Sequence, residues 1–183
     1  MKELSLNILD ITENSVKAKA TLTEILLDET EETVTLTIRD DGCGMSEEIV
    51  RGVTDPFYTT RTTRKVGLGL PLLKLQAEQT GGSMTIQSKQ AEFEGDTHGT
   101  TVTAVFYKNH IDATPLGDVT ATLTTLIQGH PDTDFLFCHK KGESEVGLDT
   151  RQLREILEGV PLNTYEVIRW TEEYLREQYA EFK

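Results

Sequence analysis

The six residues Asp40-Asp41-Gly42-Cys43-Gly44-Met45 constrain this chain more than any others. They follow Val34-Thr-Leu-Thr-Ile38, an apolar and polar alternation that reads as a strand with one buried face. A strand that closes in Asp-x-Gly-x-Gly fixes a carboxylate at its end and removes two side chains directly after it. Room is then left for a flat ring or a phosphate, and an amine finds an acceptor. Acidic, glycine-rich turns also end many strands that bind nothing, so the pattern alone divides evenly between a plain bend and a base-reading site. What flanks it decides.

Upstream, Leu4, Leu6, Ile8, Leu9, Ile11 and Val16 recur at helical spacing and predict a helix from Glu3 to about Lys19. Residues 24–27 and 34–38 predict two strands joined through the acidic turn 28–32. Ser46 before Glu47 and Glu48 marks a helix start, for a short helix to about Gly52. Residues 53–66 carry Pro56, five threonines and three basic residues without periodicity, a loop of functional length. A helix is predicted from Leu68 to Gln79, with Pro71 in its first turn and Gly81-Gly82 as its stop. Ser83–Ser88 and Gly99–Tyr107 predict a second hairpin, with a mobile polar turn near Glu94. Helix, hairpin, loop, helix, hairpin implies an α+β two-layer sandwich, a mainly antiparallel sheet under helices.

Residues 108–116 form a polar connection containing Pro115 and suggest a soft boundary. The expected organisation is a first unit at 1–107 and a small C-terminal α/β extension at 108–183. The extension reads as helix (117–128), strands (134–139 and 145–148) and two helices (149–158 and 164–180). Val167, Ile168, Trp170, Tyr174 and Leu175 form a packing stripe on the last of these.

The chain has 183 residues and a net charge of −13, split as −7 over residues 1–107 and −6 over 108–183. An even acidic surface argues against a nucleic-acid partner, which needs a basic stripe. The apolar runs fall short of a membrane span, and Met1-Lys-Glu-Leu4 has no signal-peptide core. No membrane is expected on that ground, and Cys43 and Cys138 have neither ligand nor redox spacing, which fits a reducing cytoplasm.

Three further segments carry chemistry. Asp10 and Asn14 are four apart and share one helical face, with Lys17 near them. An Asn oxygen can ligate Mg²⁺ beside phosphate oxygens, a carboxylate one turn away can orient a water, and Lys17 can neutralise a phosphate. The same residues also serve as a solvated polar face. Gly67-Leu68-Gly69-Leu70 opens a helix whose N–H groups can face an anion, or is simply a flexible entry. His98-Gly99-Thr100 starts a strand and sets a hydroxyl near the opening turn. His98, His130 and His139 lack metal-ligand spacing and read as surface or loop residues, and small size suffices to explain Cys43 in its turn.

These four elements, in this order over about residues 3–107, resemble the GHKL (Bergerat-fold) ATPases, which include gyrase, heat-shock chaperones, histidine kinases and mismatch-repair proteins. The resemblance implies ATP and Mg²⁺ as cofactors. It assigns Asn14 to the metal, Asp40 to the adenine amine and Thr100 to the same contact. Gly42, Gly44, Gly67 and Gly69 would shape pocket and lid, with Met45, Leu68 and Leu70 beside them and Lys17 on a phosphate. Pro56-Phe-Tyr-Thr-Thr-Arg61 with Gly67-Leu-Gly-Leu70 is similar to the lid of histidine kinases in particular. Two positions depart from the family. Lys65 replaces the first lid glycine and would stiffen the lid or face a phosphate, and Asp10 stands where gyrase-type ATPases have a longer Glu.

His110-Ile-Asp-Ala-Thr-Pro115 resembles the kinases' phosphoacceptor box, but its acid is displaced and it follows the ATP unit, so a connecting loop is the preferred reading. The resemblance leaves three uses open: a regulatory or kinase-like module acting on a protein partner, a slow ATPase subunit of a larger assembly, and an ATP sensor without turnover. A homodimer is compatible with each.

Overall fold

The computed structural model describes residues 3–55, 68–93 and 95–183. The elements run α1 (Leu4–Lys17), β1 (Leu22–Glu29), β2 (Thr33–Asp40), α2 (Glu47–Gly52), α3 (Gly69–Gln79), β3 (Ser83–Lys89) and β4 (Gly99–Tyr107), then α4 (Val119–Gly129), β5 (Asp134–Lys141), β6 (Ser144–Asp149), α5 (Thr150–Leu157) and α6 (Tyr165–Glu181). Helix starts follow side-chain chemistry. Ser46 accepts the Ile49 N–H at 3.3 Å, Asp118 the Ala121 N–H at 2.9 Å and Asp149 the Arg151 N–H at 3.0 Å.

All six strands join one sheet in the order β3-β4-β2-β1-β5-β6. Every neighbouring pair is antiparallel except β1 and β5, which run parallel from Leu22 opposite Asp134 to Glu29 opposite Lys141. The alternation buries Ile25, Leu27, Leu36, Ile38, Val102, Ala104, Phe135 and Phe137 on one face. Against that face lie Ile8 and Ile11 of α1, Leu73 and Ala77 of α3, and Leu123 and Ile127 of α4, in one continuous core. The α+β two-layer sandwich with a mostly antiparallel sheet is therefore the observed fold.

Residues 108–183 build into the same layers. The connection runs along the start of α1, where Leu4 and Ser5 donate their N–H groups to the Pro115 and Leu116 carbonyls at 2.9 and 2.8 Å. On α4, Thr122 donates to the Ser5 carbonyl at 3.1 Å, and its C-cap His130 meets Glu13 at 2.7 Å. Hairpin β5–β6 covers the edge that β1 would otherwise present. The outer edge β6 is guarded in turn, because the Gln178 carboxamide of α6 accepts from the Gly147 N–H and donates to its carbonyl, both at 3.0 Å. No helix among the described residues is long and apolar enough to cross a membrane. His110 lies in the exposed connection, where its ring accepts the Asp112 N–H at 3.1 Å.

Two expectations fail in this half. Trp170 and Tyr174 are not core: they are 48% and 39% exposed and stack on each other with ring centroids 5.0 Å apart. Core contact on α6 comes from the other members of that stripe, buried Val167 and Leu175 with Ile168 packed beside them. His139 is not a surface residue but 1% exposed, packed against the Tyr179 and Phe182 rings. It falls on the buried phase of β5 with Phe135 and Phe137, which periodicity alone dictates.

The His139 imidazole bridges two elements. Tyr179 Oη lies 3.0 Å from Nδ1 and Glu29 Oε2 lies 3.3 Å from Nε2, an arrangement that a neutral ring with its proton on Nε2 satisfies. Lys108 reaches Glu29 at 2.6 Å and Lys141 at 3.6 Å. Burial pulls the His139 ring below its ordinary value of 6.5, opposed in part by Glu29 and aided by Lys141. The unfolded chain therefore takes up this proton first as pH falls, so the stability His139 contributes is full above about pH 6.5 and is lost on acidification. In urea titrations between about pH 7 and pH 5, His139→Gln should flatten the decline of the unfolding midpoint. An unchanged slope would assign the sensitivity to other groups.

Candidate functional site

Asp40 ends β2 on the helix-covered side of the sheet, in phase with buried Leu36 and Ile38. Both oxygens of its carboxylate are held. Oδ2 accepts the Ser15 hydroxyl at 2.7 Å, while Oδ1 accepts the N–H groups of Gly42 at 2.9 Å and Thr100 at 3.3 Å. A carboxylate has about four lone-pair positions, so three donors fix its orientation and leave one acceptor direction. Asp41, one residue on, points the other way. It accepts the Thr21 and Leu22 N–H groups at 2.7 and 3.0 Å, and the Thr21 hydroxyl. Burial pushes its carboxyl up, but these donors outweigh it and hold the group below 3.8. Two adjacent carboxylates thus have different tasks: Asp41 pins the start of β1, and Asp40 keeps an acceptor for the helix side.

The glycines after Asp40 act by close packing. A Cβ on Gly42 would meet Ala18 at 2.9 Å, and the Cys43 N–H donates to the Ala18 carbonyl at 2.9 Å. Gly44 has φ +71, and a Cβ there would run into the Lys89 backbone. The turn is wedged between the ends of α1 and β3, and a side chain at Gly42 or Gly44 would meet Ala18 or the Lys89 backbone. Met45 then packs half-buried against the core and donates its N–H to Ser88 Oγ at 2.8 Å.

On α1, Asp10 and Asn14 are half-buried and Lys17 is exposed. Glu13 lies round the helix from Asp10 and Asn14 and is engaged by His130. Gly69, the first residue of α3, packs directly on the Asp10 carboxylate, and a Cβ there would overlap Oδ2. The carboxylate therefore sits at the positive end of an 11-residue helix, a favourable placement for an anion. Leu70 is buried in the core at 6% exposure, whereas its neighbour Leu68 is 58% exposed. Lys65, Gly67 and the segment 56–64 lie outside the described residues.

Fold and site meet in residues that motif reading passed over. Ser15 and Ser88 are hydroxyls at apolar-phase positions, Ser15 after Ile8 and Ile11 on α1, Ser88 after Met84 and Ile86 on β3. A polar residue on a buried stripe was the available signal. Thr100 and Ser88 are paired across β3 and β4 with their hydroxyls 2.7 Å apart. Gly99 has φ +136 and its missing Cβ would land on the Asp40 carbonyl, so β4 can begin only with glycine there. Among the described residues no group of three or more His, Cys, Asp or Glu side chains could cage a metal.

Residues 2–124 match the family described as histidine kinase-, DNA gyrase B-, and HSP90-like ATPase. Among curated proteins, the C4-dicarboxylate transport sensor protein DctB of Pseudomonas aeruginosa is 44% identical over 52 residues, 28% of this chain and 8% of that protein. Heme sensor protein HssS of Staphylococcus saprophyticus is 34% identical over 98 residues, 52% of this chain and 20% of that protein. The chain thus spans a fifth or less of these relatives. Among solved structures, the Aquifex aeolicus MutL ATPase domain complexed with ADP is similar with a TM-score of 0.52 at 13% identity, over 86% of this chain and 70% of that one. The N-terminal domain of a DNA repair protein gives 0.53 at 15%, over 81% and 52%. These likenesses concern the fold, and their extent takes in part of residues 108–183.

Gly99→Ala should destabilise the chain by about 2 kcal/mol or more, since strain and collision with the Asp40 backbone combine. Urea unfolding checks this, and a midpoint within error of the parent would refute the close approach of β4 to β2.

Proposed function

The chain belongs to the histidine kinase-, DNA gyrase B- and HSP90-like ATPase family, and from that premise we propose that it binds ATP with Mg²⁺ and works as a regulatory or kinase-like module on a protein partner. The observation that carries the nucleotide reading is the Asp40 carboxylate, locked by three donors with one acceptor direction to spare. An exocyclic amine is the complement of that direction. The residues suit the cofactor. Asn14 presents a neutral amide oxygen on the face of Asp10, which fits a Mg²⁺ whose remaining ligands are phosphate oxygens and waters. Bound metal would neutralise phosphate charge. Lys17, exposed at the end of α1, adds a cation near that face.

Asp10 supports regulation over fast turnover. Its short side chain is already settled against the start of α3, which limits its use in activating water. That favours slow hydrolysis, with ATP sensing as the second reading. Lys65 and Gly67 complete the lid in this proposal. Residues 108–183 are the docking module in it, with Trp170 and Tyr174 as exposed aromatic surface, and a protein partner or a second copy as occupant. A cytoplasmic setting suits such a role.

Asp40→Asn should weaken ATP binding by about 1–3 kcal/mol, because an amide offers the amine a poorer acceptor and leaves a donor unpaired. Calorimetry with unchanged ATP affinity would reject the site. Asn14→Ala should abolish the difference between ATP affinities with Mg²⁺ and with chelator. Steady-state phosphate release then separates the uses: slow release lost in Asp10→Asn marks an ATPase, and tight binding without release marks a sensor.

A further inference from the structure

The Ser88 and Thr100 hydroxyls, 2.7 Å apart, leave open which of them donates. Their neighbours decide. Ser88 Oγ accepts the Met45 N–H at 2.8 Å and lies 3.2 Å from the Gly99 carbonyl. A serine hydroxyl has one proton and two lone pairs. If its proton goes to Gly99, its lone pairs take the Met45 N–H and the Thr100 O–H, and all four groups are satisfied. If the proton goes to Thr100, Ser88 keeps an idle lone pair and the Gly99 carbonyl loses this donor. These groups are half-buried, and polar groups with reduced access to water favour the fully paired arrangement where one exists.

We infer that Ser88 is a specificity-determining residue: it draws the Thr100 proton away from the cleft, so that Thr100 Oγ1 and Asp40 both face the base as acceptors. The inference rests on the proposed nucleotide site and says which ring edge that site accepts. The Asp40 carboxylate has no proton to give, and Thr100 has spent its own on Ser88. An amine at the purine 6-position donates to this pair directly or through a water. A carbonyl at the same position, as in hypoxanthine, sets a third acceptor against two and is rejected. Ser88 does not touch the base in this scheme. It acts through Thr100.

The probes are ATP and ITP, which differ at this ring edge, titrated calorimetrically into the full chain. The parent should favour ATP. Ser88→Ala frees the Thr100 hydroxyl to donate to a carbonyl, so the ATP-to-ITP affinity ratio should fall roughly tenfold. Ser88→Thr keeps the relay and should keep the ratio. In Ser88→Ala with Thr100→Val the freed donor is gone, and the gain in ITP affinity should vanish. A purely structural role for Ser88 would weaken both nucleotides together and leave the ratio untouched. Ser88→Cys, a weak acceptor of similar size, reports the same ratio if Ser88→Ala does not fold. An unchanged ratio in folded Ser88→Ala or Ser88→Cys, with ATP binding still dependent on Asp40, overturns the relay and leaves the site standing. ATP binding indifferent to Asp40→Asn overturns both.

Discussion

Three elements far apart in the chain converge on the Asp40 carboxylate: α1 through the Ser15 hydroxyl, the glycine turn through the Gly42 N–H, and β4 through the Thr100 N–H. A half-buried carboxylate without an ion pair among the described residues must be solvated by such donors, or its burial would cost several kcal/mol. The requirement works in both directions. The donors stabilise the charge, and the charge fixes where α1 ends relative to the sheet and how β4 enters it. Gly99 and Gly44 follow as consequences, since backbone can approach a strand end this closely only where side chains are absent.

Around that carboxylate the site has two characters. On its α1 side stand the half-buried Asp10 and Asn14 and the exposed Lys17. On its β3 side every hydroxyl is committed, Ser88 to Met45 and Gly99, Thr100 to Ser88. In the proposed nucleotide site the paired β3 side would meet the base and the α1 side the phosphates, a division that suits ligands whose bases differ in small hydrogen-bonding details and whose phosphates differ mainly in number and charge.

Local signals made much of this legible. The alternation through Val34 and Ile38, the Ser46 cap, the Gly81-Gly82 stop and the spacing of Asp10 and Asn14 are decided within a few residues, and the elements stand where they predict. Partnership was harder to read. Nothing within β1 or β5 announces that Leu22 pairs with Asp134, since a parallel register is set by packing across a long connection. His139 lacks metal-ligand spacing, yet its phase with Phe135 and Phe137, not its chemistry, decides its place inside. The glycines of the turn suggest close approach without saying of what, and the fold adds that a side chain there would meet Ala18 and Lys89.

The parallel pairing of β1 with β5 joins segments more than 100 residues apart, a longer span than the β2–β4 pairing and far longer than the three hairpins. At about 5–20 residues per second, a ribosome delivers β5 on the order of ten seconds after β1. Over that interval β1 offers an unpaired edge, and α1 lacks the α4 surface that later shields Ser5 and engages Glu13. The sheet that carries Asp40 is therefore without its β5 neighbour until the C-terminal residues are made. In that sense residues 108–183 are the keystone of the sheet as well as a candidate surface for partners.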